Sequence, residues 1–121
     1  MSTVYVVQQP AYYDKTRRGW VNKYDLSPAA DHGELVFLLR PSNVPKDKLP
    51  SMVELLESSM ASFSVYDHIL PVGDPVAIAA AIMVASSKTN GVVSLLKWDR
   101  FDGAYEPYVV DISGNNGSVI V

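Results

Sequence analysis

From Pro75 to Ala85 the chain reads PVAIAAAIMVA, eleven residues without one polar side chain. Asp74 and Pro75 suit the N-cap and first position of a helix, and Thr89-Asn90-Gly91 closes it with residues that accept a left-handed backbone. A helix that is apolar on every face has to be covered on every face. The rest of a 121-residue chain offers little material for that. Two arrangements follow: part of the helix meets a second copy in a dimer, or its alanines allow close packing between a sheet and another helix.

The other segments supply that sheet and helix. Thr3 to Val7 (TVYVV) is β-branched and aromatic and reads as a first strand, with Pro10 beyond it. Residues 11–31 are polar, aromatic and irregular, and are expected to form a long loop of the kind that often carries function. Glu34 to Leu39 (ELVFLL) and Val65 to Leu70 (VYDHIL) are short apolar runs stopped by Pro41 and Pro71, as strands are. Between them Asp47 is expected to cap a helix to about Ala61, with Pro50 in its first turn. Leu49, Met52, Val53, Leu56, Met60 and Phe63 recur at helical spacing and should face the core.

Val92 to Trp98 and Tyr105 to Ile112 form a hairpin around Asp102-Gly103. A two-residue turn would set Asp99 against Glu106, two like charges, so a three-residue turn with Gly103 in a bulge is preferred. Residues 113–121 make a flexible tail or, through Val119-Ile120-Val121, an added edge strand or a segment docked on a neighbour. With no repeat and no second domain, the chain is expected to be one α+β domain. Its largely antiparallel sheet would have about five strands, with both helices on one face and a C-terminal β-hairpin.

Composition narrows the chemistry. The chain has no cysteine, which excludes disulfides, thiolate metal sites and cysteine nucleophiles. Its formal net charge of −3 is not that of a general polyanion binder, so any anion site must be local. The start shows no basic head and apolar stretch of a signal peptide, and the apolar run Val76 to Ala85 is far short of the about 20 residues that span a bilayer. A soluble protein of the cytoplasm, with no membrane partner, is expected.

His32 and His68 are the only histidines, without metal-ligand spacing, so neither a metal nor a cofactor is expected. The patterns GxSxG, GxGxxG and the P-loop are absent. Tyr12 to Asp25 (YYDKTRRGWVNKYD) is net +2 and the remainder of the chain −5. Arg17, Arg18, Trp20, Lys23 and Tyr24 in this stretch suit stacking on a base and pairing with phosphate; a solvated hairpin whose rings cover the sheet edge explains the same letters. Trp98 and Arg100, on one face of the hairpin end, are further candidate ligand-binding residues, with a packed tryptophan and a cross-strand ion pair as the structural alternative. Asp74 is read first as a helix cap, and His68 with Asp74 is the one pair that could trade protons near a helix start.

Two stretches carry a resemblance. Asp25-Leu26-Ser27-Pro28-Ala29-Ala30 running into Gly33-Glu34, and Leu70-Pro71-Val72-Gly73-Asp74-Pro75 running through the alanine helix to Leu96-Lys97-Trp98-Asp99-Arg100, resemble small uncharacterised proteins of tailed phages and prophages. The likeness covers most of residues 25–112 and implies a role against host or defence pathways in the host cytoplasm. A fainter similarity is to the viral ring nucleases, anti-CRISPR proteins that bind and cleave cyclic tetra-adenylate at a dimer interface. Gly33-Glu34, Gly73 and the hairpin from Val92 to Ile112 fall in that family's order. Asp74, however, stands in place of its catalytic histidine, and no arginine follows Asn90, so the likeness implies a shared fold and dimer without the reaction.

These readings converge on a small, self-associating, non-enzymatic binding protein that dimerises through Pro75 to Ala85 and captures a nucleotide-like anion or a host protein. The alternatives are an enzyme acting on nucleotides or nucleic acid, and a virion or assembly accessory protein.

Overall fold

The structure, a computed structural model, describes residues 2–114 except residue 43. Its main sheet is built on β1 (Thr3–Gln8), flanked by β4 (Glu34–Leu39) and β5 (His68–Leu70), and continues through β6 (Val92–Asp99) to β7 (Ala104–Asp111). The remaining pair, β2 (Ala11–Asp14) and β3 (Gly19–Asn22), forms a separate two-stranded hairpin. Two α-helices, α1 (Leu49–Ser59) and α2 (Pro75–Lys88), and two 3-10 helices, η1 (Ser27–His32) and η2 (Lys46–Lys48), complete the elements among the described residues.

The five strands, the two helices on one face and the C-terminal hairpin are as expected. The sense of the strands is not. β1 is parallel to both β4 and β5, and β5 is parallel to β6; only β6 and β7 are antiparallel. Parallel neighbours need a crossover of a dozen or more residues, antiparallel ones only a turn. Residues 9–33, 40–67 and 71–91 are such crossovers, and only the β6–β7 link is short. Thr3 to Val7 carried the same message, because a strand apolar on both faces belongs inside a parallel sheet: Val4, Tyr5, Val6 and Val7 are all buried.

Direction of travel explains the layers. The crossovers holding α1 and α2 both step toward β6, so right-handed connections put both helices on one face. There Tyr5, Val7, Leu38, Ile69 and Val93 meet Met52, Leu56, Met60, Ala77, Ala81 and Ala85. The β1-to-β4 connection steps the other way and belongs on the opposite face. Its Leu26 and Ala29 pack there on Val4, Val6, Leu70 and Leu96.

Local details refine several expectations. Residues 11–31, expected as an irregular loop, hold the β2–β3 hairpin and most of η1. Asp14 Oδ1 accepts from the Thr16 and Arg17 backbone N–H groups at 2.9 and 3.3 Å, which organises the hairpin turn. Asp47 caps nothing: it lies inside η2, and α1 starts after Lys48 with no side-chain cap. The β6–β7 connection is a four-residue turn, Arg100 to Gly103, not a three-residue one; it puts Lys97, not Asp99, opposite Glu106 and so avoids the like-charge pair.

α2 starts as expected, Asp74 Oδ1 accepting from the Val76 N–H at 2.8 Å, and ends before Asn90 in the left-handed region. Its alanine side packs between sheet and α1, while Val76, Ala79 and Met83 face outward and exposed. The expected edge strand or docking segment of the tail lies, from residue 115 on, outside the described residues.

Candidate functional site

Because four strands run the same way, their carboxyl ends share one end of the molecule. That end collects the β2–β3 hairpin after β1, Arg40 to Ser42 after β4, Pro71 to Asp74 after β5 and the Arg100 to Gly103 turn after β6. In open parallel sheets ligands bind outside these ends, above all where crossovers diverge to opposite sides. Here they diverge between β1 and β5, and the chain fills the gap with its own polar groups. Gln8 is buried; its Nε2 donates to the Arg40 carbonyl at 2.9 Å and to that of Ser42, and its Oε1 accepts from the Asp74 N–H at 2.8 Å. Gly73, at φ +120°, has no room for a side chain, since a Cβ would lie 2.4 Å from that of Gln8. The groove above, of about 480 Å³, runs past Gln9, Lys23 and Tyr24.

A larger groove, about 710 Å³, opens beside this point. β5 stops at Pro71 while β6 and β7 run on, so Leu96 to Asp99 and Ala104 to Pro107 project beyond their neighbour. Leu70, Pro71, Val72 and Leu96 line the groove along with Tyr24, Trp98 and Tyr105, and Lys97 and Tyr108, at the alternate positions of the hairpin, border it. Trp98 and Tyr105, opposite each other in the hairpin register, meet edge to face at 5.0 Å between centroids. Lys97 Nζ stands 5.4 Å over the Tyr108 ring, within cation–π range. Asp25 is the acidic group in the lining; a hydrogen bond from the Ser27 backbone N–H, at 2.9 Å, holds its carboxyl below the usual carboxylate range. Burial, and then the nearby Asp25 charge, push the Tyr105 phenol up.

Of the residues singled out in the sequence, Tyr24 and Trp98 come together in this groove. Tyr24 also lines the two neighbouring grooves, each with Lys23. Arg17, Arg18 and Trp20 lie apart on the hairpin, where Arg17 pairs with Asp14 at 3.7 Å and Trp20 packs edge-on to Tyr13. Arg100 is exposed in the β6–β7 turn and lines none of the three grooves. Tyr105 escaped sequence reasoning because it faces Trp98 only with the observed four-residue turn; the two-residue turn would have set it against Arg100.

His68 and Asp74 share no hydrogen bond among the described residues. Asp74 Oδ1 is committed to Val76 and its Oδ2 accepts from the Val44 N–H at 3.3 Å. His68 Nδ1 lies 2.7 Å from Ser94 Oγ, a serine–histidine contact of catalytic length. Ser94 is buried and lines none of the three grooves. Among the described residues no group of three metal-ligating side chains occurs, and no helix is long and apolar enough to cross a membrane.

A family described as phage Pam3 gp32-like protein matches residues 2–112. The chain belongs to that family. The expected kinship with small phage-encoded proteins therefore holds and extends to the first strand and the β2–β3 hairpin. No curated protein and no solved structure matches, so the fainter similarity to the viral ring nucleases gains no support. In this phage Pam3 gp32-like chain the stretches that carried the resemblance do structural work. Asp25 accepts from Ser27, Leu26 and Ala29 bury η1, Gly73 makes way for Gln8, and Asp74 caps α2.

Proposed function

We propose that this phage-family chain is a non-enzymatic binding protein whose aromatic groove holds the planar ring of a nucleotide-like anion. The carrying observation is the groove itself: concave, mostly apolar, walled by Tyr24, Trp98 and Tyr105, with Asp25 in its lining and Lys97 and Tyr108 bordering it. Rings of this kind accept the π face of any base, and the carboxylate can accept from a base's amino group. Lys97, Lys23 and the basic β2–β3 hairpin belong to the same end of the sheet and would draw in the anionic part.

Fluorescence tests this directly. In a Trp20→Phe background Trp98 is the one remaining tryptophan, and titration with mononucleotides, cyclic nucleotides and short oligonucleotides should change its emission saturably. Tyr24→Ala should weaken the affinity about tenfold or more, the loss of one stacked ring. Unchanged emission across the whole panel would sink the reading and leave a host protein as the occupant to pursue.

The same proposal includes self-association through the outward stripe of α2, where Val76 is 54 % and Met83 73 % exposed. Light scattering of the wild type and of Met83→Lys checks it: a dimer that becomes a monomer supports the stripe, and a monomeric wild type removes it.

A further inference from the structure

The two histidines, far apart in the sequence, are brought together by the fold. Their rings meet at 5.6 Å between centroids and 71° between planes. His32 is the last residue of η1, and its Nε2–H donates to the Tyr105 carbonyl of β7 at 2.7 Å. His68 opens β5, and its Nδ1 shares a proton with Ser94 Oγ of β6. One cluster thus ties η1 to three strands, and both walls of the groove hang from it. Tyr24 and Asp25 run through buried Leu26 into η1 on one side; on the other, Tyr105 offers its carbonyl to His32 and its ring to the groove.

We infer that the His32–His68 pair is a proton-sensitive clamp that sets the spacing of the groove's walls, an inference that rests on the groove being the binding site. With one proton between them the rings remain compatible, an imidazolium edge lying against a neutral ring. A second proton sets two cations side by side in a half-buried place and opposes the contact. Of the charged groups of the adjoining elements, only Asp67 pulls the other way, and it offsets this in part. Asp67, before β5, already accepts from Thr3 N–H, Ser64 N–H and Ser64 Oγ–H. Asp111 of β7 is bonded to Ser113, and Asp31 and Glu34, either side of His32 and Gly33, are exposed. Lys97, Asp99 and Glu106 sit toward the hairpin's turn, β1 presents Val4 opposite His68, and β6 presents Ser94. Burial, and then the His32 ring, already hold His68 below the ordinary histidine range against the pull of Asp67.

Hydrogen exchange over residues 24–32, measured without ligand at about pH 7.5 and about pH 5, tests the clamp, with nucleotide affinity measured on the same samples. In the wild type, protection over this segment should fall about tenfold or more on acidification, and affinity should fall with it. His68→Asn, which can still bond Ser94, and His32→Gln should each be folded at the higher pH and lose most of that pH dependence. Variants that keep the wild-type profile, or a wild type whose exchange does not respond to pH, overturn the clamp even if nucleotides bind. The groove reading fails differently: no nucleotide binds at either pH while exchange still follows the histidines.

Discussion

Over one face of the sheet lie two helices of 11 and 14 residues; over the other lie a six-residue 3-10 helix and the short strap leading into it. Beneath the helices, small and branched side chains close into a continuous core, with Leu56, Met60, Ile69, Ala77 and Ala81 fully shielded from water. Beneath η1 the shielded set is smaller, and large rings take up the remaining surface: Tyr24 is 60 % exposed and Trp98 45 %. The difference teaches where this chain keeps its stability and where it keeps adhesive surface. The face covered by the helices keeps its core rings, Tyr5 and Phe63, buried against each other, whereas a face only partly covered holds aromatic groups against solvent at some cost.

The contrast can be broken most decisively at Leu56. Leu56→Ala leaves a cavity under α1 and should cost about 3 kcal/mol in denaturant unfolding, whereas Trp98→Ala should act mainly on ligand affinity. Equal losses of stability from both would remove the division between the faces. Next in size is the seam where the layers meet: Gly73→Ala forces a Cβ into Gln8 at a left-handed backbone position and should cost about 2 kcal/mol, read from the thermal midpoint. Asp74→Ala removes the α2 cap and the Val44 contact and should cost about 1 kcal/mol, with helicity by circular dichroism reporting fraying at that end alone.

The smallest effect is a dependence on pH confined to the thinly covered face. His68 binds its proton less readily in the folded chain than in the unfolded one, whose ordinary value is 6.5. The unfolded state therefore carries more protons as pH falls below that value, and stability declines until the lowered folded value is passed. Unfolding midpoints of wild type and His68→Asn across this window should diverge toward neutral pH and run parallel below it.

Much of the fold was legible because neighbouring residues enforce it. Glu34 to Leu39 is a strand over its expected length, Asp74-Pro75 opens α2 with the expected cap, and Asn90 takes the left-handed position that ends it. Pro50 in the first turn and the Leu49, Met52, Leu56, Met60 and Phe63 spacing likewise placed α1 and its inner face, although Val53, expected there too, is exposed. Errors came where the deciding partner was distant. The β2–β3 hairpin rests on a cross-strand pair, Tyr13 with Trp20, that no apolar alternation announces. His32 and His68, 36 positions apart in the chain, gave no sign of meeting. Of the candidate site, Tyr24 and Trp98 could be picked out by residue type, but their company could not.

Strand and helix, cap and turn were written into this chain's letters, since each depends on side chains within a few positions of one another. Strand direction, and with it the gathering of Tyr24, Lys97, Trp98 and Tyr105 at one end of the sheet, awaited the long crossovers. Which strand pairs with which is a contest between distant segments for the same edge, and periodicity within a segment carries no record of its outcome.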